Sequence, residues 1–231
     1  MPMSLWKDFK DFFFPRTCMG CGKKLLVHES VVCLSCLSGL PFTGLGNTPG
    51  NGMERQFWGR FPIERASSLF YYAKGGEVAS MLHGMKYYGR RKVCRQMGNW
   101  LAAELSATGF FDGIDCLIPV PLHPCRLRQR GYNQSGLLAE GISEQTGIPL
   151  CTDALVRTHN NRTQTHKSGY ERWQNTDGLF AATVQAASLA DRHILLVDDV
   201  LTTGATLTAC ADALSSIPGI RISVVTLAWA K

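Results

Sequence analysis

The chain has 231 residues, of which 45% are hydrophobic and 18% are charged, and its formal net charge is +6. This balance excludes a disordered or fibrous protein, and the length suits one sizeable α/β domain with a small additional module. The sequence contains no apolar run of about 18 residues and no secretory signal, so we expect a cytoplasmic protein without a transmembrane segment.

The first predicted element is a short amphipathic helix that ends before Pro15. Its apolar residues recur at helical spacing and are Leu5, Phe9, Phe12 and Phe13. A helix that packs on the main core is the favoured interpretation, and a membrane-surface or partner helix is the alternative.

Two CxxC pairs follow, separated by eleven residues, and consist of Cys18, Cys21, Cys33 and Cys36. Four thiolates at this spacing suit a closed tetrahedral zinc site with no position for water, so they predict a structural, zinc-ribbon-like module. Two local disulfides or a redox dithiol are the alternatives, although a redox site needs only one pair. The other five cysteines lack partner spacing and are predicted to be small buried residues: Cys94, Cys116, Cys125, Cys151 and Cys210.

A stretch rich in glycine and proline, residues 41–52, is predicted to be a linker. It places a domain boundary near residues 40–55. Residues 1–45 would hold the amphipathic helix and the cysteine module, and residues 55–231 the main domain.

The main domain reads as alternating strands and helices, which predicts a mostly parallel sheet flanked by helices. The predicted elements are strand 66–72, helices 76–88 and 93–108, strand 116–120, helix 135–146, strands 155–157 and 193–197, helix 206–216 and strand 222–227. A polar stretch between Arg157 and Phe180 has almost no apolar content, which is typical of a functional or disordered segment. Basic residues cluster at 86–95 and 126–130; such clusters are usually solvated surface, but they also suit bound polyanions.

The segment from Ile194 to Thr206 carries the second motif, a buried strand that ends in Asp198 and Asp199. At the carboxyl end of such a strand, two carboxylates can accept hydrogen bonds from a sugar diol. The loop that follows offers N–H groups and hydroxyls to a phosphate at a helix N-terminus, and Gly204 permits a close backbone approach. The predicted phosphate-binding residues are Thr202, Thr203, Gly204, Ala205 and Thr206.

This segment resembles the signature of type I phosphoribosyltransferases, and further pieces resemble the ComF family, which includes ComFC and GntX. These pieces span nearly the entire chain and are the two CxxC pairs, residues 86–90, 118–124 and 130–134, Gln164, Arg172 with Asn175, and residues 194–206. The resemblance implies a type I phosphoribosyltransferase-like fold behind an N-terminal zinc module.

The resemblance also implies roles for single residues. Asp198 and Asp199 would hold the ribose hydroxyls, and these two together with Arg172 are the expected catalytic residues. The expected pyrophosphate-side residues are His123, Arg126, Arg130 and Asn133. Residues 158–178 resemble a hood over the site, with Gln164, Arg172 and Asn175 as its working residues. Lys86 and Arg90 either extend the site or are solvated, and His123 is either catalytic or structural.

The implied ligand is 5-phosphoribosyl pyrophosphate with Mg²⁺, whose phosphoribosyl group would pass to an unidentified acceptor through an oxocarbenium-like transition state. The implied context is DNA uptake in natural transformation. The alternative is a binding module that senses this ligand without catalysis, or binds single-stranded DNA, a competence helicase or a DNA-processing protein. A homodimer is left open.

Overall fold

The computed structural model describes residues 16–87, 90–159 and 178–231. The helices are α1 (Leu34–Gly39), α2 (Gly52–Arg55), α3 (Glu77–Tyr87), α4 (Arg91–Ser106), α5 (Pro124–Arg130), α6 (Gln134–Thr146) and α7 (Ala205–Leu214), with a 3-10 helix at Val184–Leu189. The strands are β1 (Ala66–Tyr71), β2 (Cys116–Pro119), β3 (Leu155–Arg157), β4 (Phe180–Ala182), β5 (His193–Leu201) and β6 (Arg221–Trp229). The predicted N-terminal helix lies outside the described residues. In the described part of the chain, no helix is long and apolar enough to cross a membrane.

The central sheet has the strand order β1-β6-β5-β2, and each neighbouring pair is parallel. Its strands are almost continuously apolar because both faces are covered. Helices α4 and α6 pack on one face, while α7 and the small β3–β4 hairpin pack on the other. The predicted α/β fold, a mostly parallel sheet flanked by helices, is confirmed.

Strand β5 differs from its prediction because it continues to Leu201 instead of ending at Val197. Strand β6 runs beside this extension and pairs with it from Asp198 to Leu201, so the backbone remains extended. Strand β2 ends opposite Val197. The acidic pair therefore lies on a stretch of β5 that pairs with β6 on one side and is no longer paired with β2 on the other.

The glycine-rich stretch predicted as a linker packs against the sheet. The backbone of Thr43 donates to Leu69 O and that of Tyr71 to Pro41 O, so this stretch runs along the edge of β1. Asn51 caps α2, and its side-chain amide also donates to Ala66 O at 2.8 Å. The division into residues 1–45 and 55–231 stays a prediction.

Two of the five scattered cysteines correct the prediction that all are buried. Cys94, Cys116 and Cys210 are buried, whereas Cys125 is exposed and Cys151 is half-buried. Cys125 lies on α5, which buries none of its side chains.

Helices α4 and α6 cross in close contact through Gly98 and Gly141. A Cβ atom at Gly98 would lie 2.1 Å from Leu138 O, and one at Gly141 would lie 2.1 Å from Arg95 O. Both obstacles are backbone atoms, which cannot rotate away as a side chain can.

We expect Gly98→Ala to lower the free energy of unfolding by about 2 kcal/mol or more, because the two helices must separate. Urea denaturation measures this change. Gly136→Ala on α6 is the matched control, since its Cβ would meet only ordinary contacts from 3.4 Å outward. Equal effects of the two substitutions would contradict the close crossing.

Candidate phosphoribosyl site and cysteine cluster

The acidic pair lies at the carboxyl end of the sheet, and its two side chains have different partners. Asp198 Oδ1 accepts hydrogen bonds from the Ser135 hydroxyl at 2.9 Å and from the Asp199 N–H at 2.8 Å. Asp199 Oδ2 lies 2.7 Å from the ammonium nitrogen of Lys86. These neighbours in sequence therefore contact different helices, Asp198 reaching α6 and Asp199 reaching α3.

Burial raises the pKa of Asp198 to about 7, and the charge of Asp199 adds to this increase. Hydrogen bonds from the Asp199 N–H and from Ser135, together with the charge of Lys86, act in the opposite direction. Asp198 is therefore a carboxyl group that a nearby cation or a change in pH can ionise.

Lys86 forms an ion pair with Asp199, so of its two interpretations the structure favours an extension of the site over a solvated surface residue. Burial lowers its pKa, but the carboxylates of Asp199 and Asp198 outweigh that effect and raise it overall. The preceding residue is fixed, since the Tyr132 hydroxyl donates to Met85 O at 2.6 Å. Arg90 instead donates to Met19 Sδ at 2.6 Å and to the Thr17 hydroxyl, so it contacts the cysteine module.

The loop between β5 and α7 surrounds a small open pocket. Asp198 and residues 200–207 line this pocket, so all five predicted phosphate-binding residues contribute to it. Gly204 has a φ of +80° and immediately precedes α7, a conformation that glycine adopts without strain. Asp199 is not among the lining residues, because it is directed towards Lys86.

Of the four predicted pyrophosphate-side residues, His123 lies on the turn after β2, Arg126 and Arg130 lie on α5, and Asn133 immediately precedes α6. The Nδ1 atom of His123 accepts from the Cys125 N–H and caps α5, which is a structural role. The Arg130 guanidinium lies over the Tyr87 ring, 5.8 Å from its centroid. Burial lowers the pKa of Arg126, and the charge of Arg130 lowers it further. That any of them contacts pyrophosphate stays a prediction.

The N-terminus of α6 carries polar atoms that lack protein partners. Asn133 uses its amide nitrogen to bind Val120 O at 2.9 Å, while its Oδ1 is buried with no partner among the described residues. The next residue, Gln134, is buried and its Nε2 is also without one. Since buried polar groups normally form hydrogen bonds, this end of α6 fits a polar ligand.

Two residues of the site were not predicted. Arg157, at the end of β3, feels the charges of Arg126 and Asp198, and burial lowers its pKa. The sequence signal that could have indicated Arg157 is a single basic residue at the end of the short strand β3. Ser135 carries no comparable signal, because a hydroxyl in the first turn of a helix usually serves the helix itself.

Only the base of the predicted hood lies in the described residues. The N–H of Thr158 donates to Leu179 O at 2.9 Å, so the two ends of the segment meet beside the β3–β4 hairpin. The predicted working residues Gln164, Arg172 and Asn175 lie outside the described residues.

The four predicted zinc ligands come together, with all four sulfur atoms within 4.8 Å of one another. The Sγ atoms of Cys21 and Cys33 are 3.7 Å apart. Zinc–sulfur bonds of about 2.3 Å in a tetrahedron place sulfurs about 3.8 Å apart, so the cluster fits zinc. All four are free thiols, which does not match the alternative of two disulfides.

Backbone N–H groups lower the pKa of one of these thiols, Cys18, which favours the thiolate form that binds a metal. Burial raises the pKa of the Cys18 thiol, but hydrogen bonds from the N–H groups of Cys21, Cys33 and Gly20 lower it to about 7 overall. There is little room beside Gly20, where a Cβ would lie 3.0 Å from Cys36 Sγ.

The cysteine module packs against α3, the helix that also carries Lys86. The side chain of Met19 lies against Gly84, where an added Cβ would be 2.6 Å from Met19 Cε. At the other end of α3, Glu77 lies beside Cys36. One helix therefore joins the cysteine cluster to the acidic pair.

The four-stranded parallel sheet, the strand with its acidic pair and the pocket before α7 define a protein of the phosphoribosyltransferase fold. The sequence profile of the phosphoribosyl transferase domain matches residues 133–231, which include the acidic pair and its loop.

Two relatives extend the likeness beyond that domain, and a third matches over a shorter stretch. The chain is 36% identical to "Competence protein F" of Haemophilus influenzae over 233 residues, covering 94% of this chain and 99% of the relative. It is 28% identical to "DNA utilization protein YhgH" of Shigella flexneri, covering 80% of this chain and 78% of that protein. It is 37% identical to "Competence protein ComFC" of Bacillus subtilis over 91 residues, which are 39% of this chain and 34% of that protein. The chain belongs to the ComF family.

Proposed function

We propose that the chain binds 5-phosphoribosyl pyrophosphate together with Mg²⁺ and transfers the phosphoribosyl group to an acceptor. The observation that carries this proposal is the pocket that joins Asp198 to the loop of residues 202–206. A carboxylate for the sugar hydroxyls and a helix N-terminus for the 5-phosphate lie a few residues apart in one pocket.

The charges around the pocket fit a polyanion with a metal ion. Asp198 and Asp199 offer the oxygen ligands that Mg²⁺ prefers, and the bound ion would neutralise charge on the pyrophosphate leaving group. The nearby cations Lys86, Arg126, Arg130 and Arg157 would stabilise the same developing charge. In this scheme Asp198 and Asp199 orient the sugar, and the acceptor supplies the attacking atom.

The cellular context is proposed from the names of the relatives. Two of them are named as competence proteins and one as a DNA utilization protein. We therefore place the proposed activity in the uptake or use of DNA, and we expect it in the cytoplasm.

A second candidate is a module that binds single-stranded DNA or a competence partner. Helix α5 buries none of its side chains and carries Arg126, Arg128 and Arg130, and the Arg130 guanidinium lies over the exposed Tyr87 ring. Cations beside an accessible aromatic ring are typical of surfaces that bind single-stranded nucleic acid. This candidate requires no turnover at the acidic pair.

Calorimetry and a turnover assay separate the two candidates. We expect 5-phosphoribosyl pyrophosphate to bind in the presence of Mg²⁺, and pyrophosphate to be released when a suitable acceptor from a panel of nitrogenous compounds is added. The absence of binding to a well-folded protein would overturn the proposed ligand. Salt-dependent binding of single-stranded DNA that survives Asp198→Asn with Asp199→Asn, without pyrophosphate release, would favour the binding module.

The raised pKa of Asp198 predicts a pH dependence. With a pKa of about 7, this carboxyl group contributes to folding stability at low pH, and its contribution is lost as the pH rises through about 7. A ligand that carries Mg²⁺ favours the ionised form, so its affinity should rise between pH 6 and pH 8.

Isothermal titration at several pH values tests this expectation. The ligand's own phosphate titrates near pH 6, so Ser135→Ala is the informative comparison. This variant loses a hydrogen bond to the ionised carboxylate, and the midpoint of the affinity change should move to higher pH. Identical midpoints for the wild type and the variant would contradict the assignment to Asp198.

A further inference from the structure

Residues 51–60 form a separate support behind the pocket loop. Asn51, Met53, Glu54 and Phe57 are buried, and the Asn51 side chain accepts from the N–H groups of Met53 and Glu54. The Glu54 carboxylate accepts from the Gly50 N–H at 2.6 Å. This short segment is therefore held in place independently of the loop.

Two side chains of this support bind the loop through its carbonyl groups. Arg60 Nη1 donates to Thr203 O at 2.7 Å, and Gln56 Nε2 donates to Thr202 O. The Trp229 indole N–H donates to Gln56 Oε1 at 3.0 Å. Because an indole nitrogen is only a donor, Trp229 fixes the orientation of the Gln56 amide so that its NH₂ group faces the loop.

These contacts fix the direction of the loop's N–H groups. In a planar trans peptide the carbonyl and the following N–H point in opposite directions. With the carbonyls of Thr202 and Thr203 turned towards Gln56 and Arg60, the N–H groups of Thr203 and Gly204 are turned away from them. Among the described residues, neither N–H has a protein acceptor.

We infer that Gln56 and Arg60 are positioning residues that hold the loop open for a phosphomonoester, the 5-phosphate of the ligand. The inference rests on the proposed function and adds a requirement to it, since these two residues act through the loop. The space behind Gly204 is also tight, with Arg60 Nη1 and Phe57 Cε1 each 3.1 Å from an added Cβ.

The test uses two probes on the full chain, ribose 5-phosphate and pyrophosphate with Mg²⁺. We expect Arg60→Met to weaken ribose 5-phosphate binding about tenfold and to leave pyrophosphate binding nearly unchanged. Arg60→Lys should restore part of the affinity. Arg55→Met is the matched control, because Arg55 lies in the same segment but donates to Gly50 O and lies over the Trp58 ring.

Equal losses in Arg60→Met and Arg55→Met would attribute the effect to net charge and overturn the inference. Equal losses for both probes would overturn it as well.

A second measurement, amide hydrogen exchange of the ligand-free protein, separates the inference from the proposed function. Exchange of the Thr208 and Ala230 N–H groups, which donate to Gly204 O and Leu201 O at the two ends of the loop, should become faster in Arg60→Met and stay unchanged in Arg55→Met. If wild-type protein fails to bind ribose 5-phosphate, the proposed function falls, while exchange still decides whether Arg60 holds the loop. Unchanged exchange in Arg60→Met would overturn that support.

Discussion

Replacement of Asp198 by asparagine is expected to weaken binding of 5-phosphoribosyl pyrophosphate with Mg²⁺ at least about a hundredfold. Asp198 lines the pocket, and its carboxylate is fixed by Ser135, so the substitution removes a charge already oriented for the ligand. Asp199→Asn should have a smaller effect, because Asp199 contacts Lys86 and does not line the pocket.

Calorimetry on the two single variants and the double variant measures these losses. Asp112→Asn is the control, since Asp112 is exposed and precedes β2, at the opposite edge of the sheet. Melting temperatures must show that each variant is folded. If Asp198→Asn bound the ligand as tightly as the control, the pocket would not be the ribose site.

Loss of the cysteine cluster should have the largest effect on stability. We expect Cys18→Ser to remove one bound zinc ion and to lower the free energy of unfolding by more than about 4 kcal/mol. The buried residues of the module belong to the same core cluster as those of α3, α4 and α6, and Met19 packs on α3, so unfolding of the module should also loosen that helix.

Metal analysis and denaturation, each with and without a chelator, measure this effect. Cys125→Ser is the matched control, because Cys125 is an exposed thiol outside the cluster. The zinc prediction would be wrong if purified protein held no metal and mass spectrometry showed the four cysteines as two disulfides.

Features written in local sequence could be predicted. The two CxxC pairs, the apolar strand with its acidic end and the loop before α7 are each contained in a short segment. The structure brings the four sulfurs together and places the loop at a pocket. The spacing and residue types within each segment are enough to predict its local geometry, because that geometry depends mainly on residues close together in the sequence.

Features made by distant contacts could not be predicted. Gln56 and Thr202 are 146 residues apart, and no local pattern pairs them. The glycine-rich composition of residues 41–52 suggested a linker, whereas buried side chains such as Met53 and Phe57 anchor the segment that follows. The extension of β5 to Leu201 depends on β6, which lies later in the chain.

The ion pair of Lys86 with Asp199 has a consequence for metal selectivity. A free divalent ion that binds the Asp199 carboxylate must displace the Lys86 ammonium group. Because Lys86 belongs to the same protein, it competes with the ion at any concentration of metal. A metal ion bound to the pyrophosphate group of the proposed ligand would also bring an anion with which the displaced Lys86 ammonium can form a new ion pair. The site should therefore reject bare magnesium and accept the metal only together with its phosphorylated sugar.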